Sequence, residues 1–122
     1  MQAFLIAADS DEREVLTFVL RHAGLAVSPS GDLARILAHW TELPADLIIL
    51  AGGAAVEVEA QIAAVRGVTE VPLVVLVDPP AEARLLAMLR GGADVVLARP
   101  VSPQLLAEYA RVVLRRSGAV PA

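Results

Sequence analysis

The sequence predicts an α/β fold: a doubly wound, five-stranded parallel sheet in the order 2-1-3-4-5, with helices on both faces. Five short apolar segments alternate along the 122 residues with five segments whose apolar residues recur at helical spacing. The last three apolar segments are continuous runs, as in parallel strands that are covered on both faces. At this size, 2-1-3-4-5 is the common strand order, and its crossovers are right-handed.

The five strands are expected where short apolar runs are bounded by polar or turn-forming residues. They are residues 3–8, 25–30, 46–51, 72–77 and 94–98. The second run is the weakest, and we expect Pro29 to end it because proline removes a backbone donor from a sheet.

The five helices are indicated by caps, glycine stops and apolar spacing. Asp9 or Ser10 can cap the first helix, which should end at Gly24. The predicted apolar face of that helix is Val15, Leu16, Val19 and Leu20. The second helix has Leu33, Ile36, Leu37 and Trp40 at amphipathic spacing. Trp40 is therefore expected in the core.

The remaining helices follow the same logic. The third contains Val58, Ile62 and Val65 and ends near Gly67, and the fourth covers residues 81–92 with a glycine stop. The fifth begins with Ser102 as its cap and Pro103 at its first helical position.

The amino-acid composition argues against several classes of function. A net charge of −4 argues against direct contact with nucleic acid, and all ten basic residues are arginines. No cysteine is present, and no apolar run reaches the length of a membrane span. No basic region precedes the first apolar run, so we expect no secretion signal and a cytoplasmic protein. The length fits one domain, predicted over residues 1–117.

Ligands of doubly wound sheets sit beyond the carboxyl ends of the strands, so any functional residues are expected at those positions. The positions are Ala8 and Asp9, Ala51, Val77 and Asp78, and Arg99. No nucleophile–base pair is visible, and His22 and His39 have no partner at metal-ligand spacing, so surface or capping roles are expected for both histidines. The sequence therefore predicts no catalytic residue, no metal site and no cofactor.

Four segments make the chain similar to the receiver domain of bacterial response regulators, which has the flavodoxin-like fold. They are FLIAADSDEREVL, ADLIILA, VPLVVLV and GGADVVLARPVSPQLLAEYARVVLRR. The resemblance implies a switch in which a histidine kinase phosphorylates an aspartate at the end of the third strand. It also implies a Mg²⁺ site at that aspartate and an acidic pair after the first strand. A hydroxyl residue ending the fourth strand and a lysine before a cis-proline bind the phosphoryl oxygens in that family.

Carried onto this chain, those roles fall mostly on residues that cannot perform them. The acidic pair falls on Ala8 and Asp9, and the phosphoacceptor falls on Ala51. The hydroxyl position is Val77, and the lysine position is Arg99, followed by Pro100, for which we expect a cis peptide bond. The resemblance therefore implies a degenerate phosphorylation pocket.

Several alternatives remain open for the pocket residues. Asp9 is either a former metal ligand or a helix cap paired with Arg99. Arg99 either binds an anion or pairs with Asp9 or Asp78. Asp78 is expected to point away from the pocket, because neighbouring residues of a strand face opposite ways. Gly52 and Gly53 form either an anion-binding nest or a plain loop.

The last helix carries two apolar stripes, although one helix on a sheet needs only one. Leu106, Ala110, Val113 and Leu114 match core positions. The second stripe is Leu105, Tyr109 and Val112, and Leu85 of the fourth helix aligns with the same surface. We interpret it as a homodimer interface formed by the fourth helix, fifth strand and fifth helix; a broad buried face is the alternative.

Residues 118–122 resemble the start of a linker, which in similar proteins leads to a DNA-binding output domain. The sequence thus predicts an atypical, phosphorylation-independent receiver domain that dimerises and regulates an attached transcriptional output domain. The alternative is a small-molecule sensor that uses the emptied pocket. We expect no enzymatic activity and no membrane contact.

Overall fold

The structure is a computed structural model that describes residues 2–118, apart from the side chain of Ala55. Residues 119–122, which make up most of the predicted linker, lie outside the described part. The strands are β1 (Gln2–Ala7), β2 (Ala26–Ser30), β3 (Leu47–Ala51), β4 (Leu73–Val77) and β5 (Val95–Ala98). The helices are α1 (Ser10–His22), α2 (Leu33–Ala38), α3 (Ala55–Arg66), α4 (Glu82–Arg90) and α5 (Pro103–Ser117).

The five strands pair in parallel in the order β2-β1-β3-β4-β5, which confirms the predicted fold class. Every residue of β3 and β4 is buried. Continuous apolar runs are required at these positions because helices cover both faces of the central strands. All five strands end at the same edge of the sheet, so the loops that follow β1, β3, β4 and β5 meet there.

Two apolar clusters lie on opposite faces of the sheet. One contains side chains of α1 and α5, such as Leu20 and Leu106. The other contains side chains of α2, α3 and α4, such as Leu33, Ile62 and Met88. Helices α4 and α5 therefore flank the unpaired edge strand β5 from opposite sides, and this positions the predicted interface.

Local sequence signals explain most helix boundaries. The Asp9 carboxylate accepts hydrogen bonds from the backbone N–H groups of Asp11 and Glu12, so Asp9 and not Ser10 caps α1. Ser102 caps α5 by accepting from the Leu105 N–H, with proline at the first helical position as predicted.

Three details differ from the sequence prediction. Pro29 lies inside β2 and does not end it, because β2 is an edge strand where a missing N–H is tolerated. Helix α2 ends at Ala38, so Trp40 reaches the core from the turn that follows the helix. Its ring packs edge-on against the ring of Phe4, with 5.9 Å between the ring centroids. Val15 is exposed and Thr17 is buried in its place, with its hydroxyl bonded to the Arg13 carbonyl.

Within residues 2–118, no helix combines the length and the apolar character needed to cross a membrane.

Candidate functional site

The carboxyl ends of β1 and β3 open into a cavity of about 460 Å³. Its polar lining consists of four carboxylate side chains, one amide and one guanidinium. They are Asp9, Glu12, Glu57, Asp78, Gln61 and Arg99. The cavity occupies the place that the strand order predicts for a ligand site.

Most of the residues singled out at the strand ends surround this cavity. Ala8, Asp9, Ala51 and Arg99 all line it. Val77 is fully buried and packs in the core cluster under α2–α4, so we place it behind the cavity and not on its wall. The Arg99–Pro100 peptide bond is cis, as expected.

Arg99 is the most heavily bonded side chain of the cavity. Its Nε and Nη2 donate to the two carboxylate oxygens of Glu12, each at 2.8 Å. Its Nη1 donates to the Gly52 carbonyl and, at 3.4 Å, to the Asp78 carboxylate. The guanidinium therefore joins α1, the loop after β3 and the loop after β4.

The Glu12 hydrogen bond also dominates the electrostatics of Arg99. It raises the pKa of the guanidinium above its ordinary value. Partial burial lowers that pKa, and the negative charges of Glu12 and Asp78 raise it further. The Arg99 and Glu12 side chains are only 24% and 26% exposed, so solvent screens this pair less than an ordinary surface ion pair.

The expected pair between Arg99 and Asp78 is present, at 3.4 Å, but two other expectations about these residues are wrong. Arg99 does not pair with Asp9, because the Asp9 carboxylate caps α1 and the guanidinium fork is filled by Glu12. Asp78 does not point away from the cavity. Strand β4 ends at Val77, so strand alternation no longer governs the direction of the Asp78 side chain.

The sequence prediction missed three polar residues of the pocket, Glu12, Glu57 and Gln61, and Glu12 is the one bonded to Arg99. Glu12 follows Asp9 by three residues, so the two share one face of the first helical turn. The D-x-x-E spacing normally indicates a capping box, in which the glutamate returns to the cap residue. That local interpretation hides the long-range contact with Arg99, 87 positions away.

The pocket does not fit the Mg²⁺ ion that the resemblance implies. Mg²⁺ prefers an octahedral set of oxygens with one or two carboxylates. Ala8 and Ala51 supply no side-chain oxygen, and one Asp9 oxygen is engaged by backbone N–H groups. In the described part of the chain, no group of three or more His, Cys, Asp or Glu residues is arranged to hold a metal. Asp9 serves as a helix cap and not as one of several metal ligands.

The two histidines lie on the surface, as expected. His22 stacks on Phe18 with 5.3 Å between ring centroids. His39 follows the last residue of α2, and its Nδ1 lies 3.6 Å from a carboxylate oxygen of Glu42.

The second candidate site is the surface around the β5 edge. Leu105 and Tyr109 are 47% and 37% exposed, and Leu85 and Val112 are partly exposed, so the second stripe of α5 is not buried within the domain. Two further leucines of α4, Leu86 and Leu89, are also exposed. The sequence prediction missed them because only Leu85 aligned with the family surface. We call these six residues the α4–β5–α5 patch.

Comparisons with known proteins identify the fold. No family model matches the sequence, and no curated protein matches it. Many solved structures superpose over nearly the whole chain, and three of them illustrate the likeness. A two-component response regulator from Clostridium difficile has a TM-score of 0.82 at 21% identity and covers 96% of this chain and 98% of its own.

A putative pilus assembly-related protein from Burkholderia pseudomallei has a TM-score of 0.81 at 19% identity, with coverage of 95% and 90%. An atypical orphan response regulator, described as having a phosphorylation-independent regulatory mechanism, has a TM-score of 0.76 at 20% identity, with coverage of 94% and 96%. At this level of identity the likeness extends to the fold alone: this chain has the fold of a response-regulator receiver domain.

Proposed function

We propose that this chain is a phosphorylation-independent receiver-like domain that serves as a signalling and dimerisation module for an attached transcriptional output domain. One observation carries the proposal. Ala51 ends β3 at the cavity wall, where the receiver fold requires a phosphoacceptor. A methyl group has no lone pair with which to attack phosphorus, so it cannot accept a phosphoryl group.

The surroundings of Ala51 support the same conclusion. Val77 ends β4 without a hydroxyl, so it can donate no hydrogen bond to a phosphoryl oxygen. The guanidinium of Arg99 is already bonded to Glu12 and Gly52. The phosphoryl group would therefore lack an acceptor, a hydroxyl partner and a free cation.

Intact-mass spectrometry tests the proposal. The domain is incubated with acetyl phosphate and Mg²⁺, and its mass should remain that of the unmodified chain. A receiver domain with an intact phosphoacceptor serves as the positive control. An acid-labile gain of one phosphoryl group, mapped to Asp9, Asp78 or Glu12, would contradict the proposal.

The dimerisation part of the proposal rests on the α4–β5–α5 patch. Its exposed leucines and Tyr109 lie on two helices that flank an unpaired edge strand. Contiguous apolar surface of this kind usually marks an interaction site. Because no phosphoryl switch is available, we propose that the dimer forms constitutively.

The proposal of an attached output domain rests on the resemblance to response regulators in which a linker leads from the receiver domain to a DNA-binding domain. This domain itself is proposed to make no contact with DNA, since its net charge of −4 opposes binding to phosphates. Electrophoretic mobility of DNA mixed with the domain should be unchanged, and DNA binding by residues 1–122 alone would contradict this division of roles.

A small-molecule sensor is the second candidate function, and the 460 Å³ cavity is the observation that favours it. A thermal-shift screen against metabolites separates the two functions. A ligand present far above its dissociation constant stabilises the fold measurably, by about 2.7 kcal/mol at a hundredfold excess over Kd. A saturable shift that disappears when the cavity is altered would favour the sensor.

A further inference from the structure

The hydrogen-bonding capacity of Arg99 is almost fully used inside the domain. A guanidinium has five N–H donors. Nε donates to Glu12, Nη2 donates to Glu12, and Nη1 donates to both Gly52 and Asp78. Counting acceptors within residues 2–118, one N–H of Arg99, on Nη2, is left.

The edge of the guanidinium that recognises anions is the one occupied by Glu12. An arginine binds a carboxylate or phosphate most strongly through two parallel N–H groups. Nε and Nη2 form such a pair, and both are 2.8 Å from Glu12 oxygens. An incoming anion therefore finds no two-pronged donor edge on Arg99.

The charge around Arg99 also opposes a free anion. Asp9, Glu12, Glu57 and Asp78 line the same cavity, so carboxylates outnumber the single guanidinium. The Glu12–Arg99 pair is about three-quarters buried, which weakens the screening of these charges by water.

We infer that Glu12 is a built-in anionic ligand of Arg99. Its carboxylate takes the place that a phosphate, sulfate or carboxylate would otherwise occupy, and it holds α1 against the loops after β3 and β4. The contact between Glu12 and Arg99 prevents free anions from binding to Arg99, so anions are not ligands of this cavity. Glu12 acts here as a positioning residue, through Arg99.

The inference builds on the proposed function, because it explains how the pocket keeps one arrangement without phosphorylation. The two are tested by different readouts. Covalent phosphorylation is read from the protein mass, whereas the role of Glu12 is read from reversible binding of an anion that cannot transfer a phosphoryl group.

The experiment is a sulfate titration followed by NMR, using the Arg99 Nε–Hε resonance and the Gly52 amide. The wild-type domain should show no saturable shift. Glu12→Ala should bind sulfate at Arg99 with an affinity at least about tenfold higher, as expected for hydrogen bonds to a charged group. Glu12→Gln, which preserves side-chain size, should give a smaller gain and serves if the alanine variant is poorly folded.

Two further variants make the result specific. Glu14→Ala is the matched control, because Glu14 lies two positions away on α1, carries the same charge and lines a different groove with Arg13. It should leave sulfate binding unchanged. Glu12→Ala combined with Arg99→Ala should lose the gain. Saturable sulfate binding at Arg99 in the wild type, or no gain in either folded Glu12 variant, would overturn the inference.

Discussion

Tyr109→Asp should convert the proposed dimer to a monomer without unfolding the domain. Tyr109 lies on α5 beside Leu105 and Val112, and 37% of the residue remains exposed in the isolated domain. A tyrosine buries roughly 200 Å² when fully covered, so a dimer would bury a further ~70 Å² here. At about 25 cal/mol per Å², that burial contributes about 2 kcal/mol.

The substitution acts twice, because a twofold interface contains the same residue from both subunits. Removing two tyrosines would cost about 4 kcal/mol, and each unpaired aspartate adds a further ~1 to 3 kcal/mol of desolvation. Each 1.4 kcal/mol of binding free energy that is lost raises Kd about tenfold. The dissociation constant, which we expect near micromolar for the wild type, should rise by at least a factor of about 1,000.

Analytical ultracentrifugation over a wide concentration range measures this change. Tyr109→Phe is the matched control, since it keeps the ring and should leave the dimer nearly as stable as the wild type. Tyr109→Asp should still show cooperative thermal unfolding, because Tyr109 belongs to neither apolar cluster of the core. A wild-type domain that stays monomeric at high micromolar concentration, or an aspartate variant that dimerises equally well, would refute the reasoning.

Three further predictions follow from the site and the core. Gly52→Ala should destabilise the domain by about 1 to 3 kcal/mol, because its Cβ would lie 2.2 Å from Val58 Cγ2. Gly53→Ala, which meets no atom within 4 Å, should change stability far less, and urea denaturation compares the two. Mg²⁺ titrated below millimolar concentration should produce no saturable amide shifts at Asp9. Such shifts would show that Asp9 belongs to a Mg²⁺ site. Met88→Ala removes a fully buried side chain and should cost about 2 to 5 kcal/mol in the same urea assay, with a change below 1 kcal/mol contradicting its place in the core.

The sheet was predictable because its signals are local. The apolar runs at β3 and β4 are continuous, and each helix has a cap or a stop nearby in the chain. The ends of helices were harder to predict where a residue contacts a partner far away in the sequence. Trp40 matches helical spacing, yet it leaves the helix to contact Phe4.

The pocket was predictable only in part. The strand order brings Asp9, Ala51 and Arg99 together, and that follows from topology alone. The choice of Glu12 over Asp9 as the partner of Arg99 depends on side-chain reach and on the competing role of Asp9 as a cap. Neither factor is visible from spacing. The position of Asp78 depended on where β4 ends, which a sequence pattern places only within a few residues.

The central claim is that association of this domain is independent of phosphorylation. It is tested most directly by the dimer dissociation constant, measured by ultracentrifugation with and without acetyl phosphate and Mg²⁺. We expect the two values to be the same, because the residue at the end of β3 is Ala51 and cannot be phosphorylated. A dissociation constant that falls when the phosphodonor is added, and recovers after its removal, would contradict the claim.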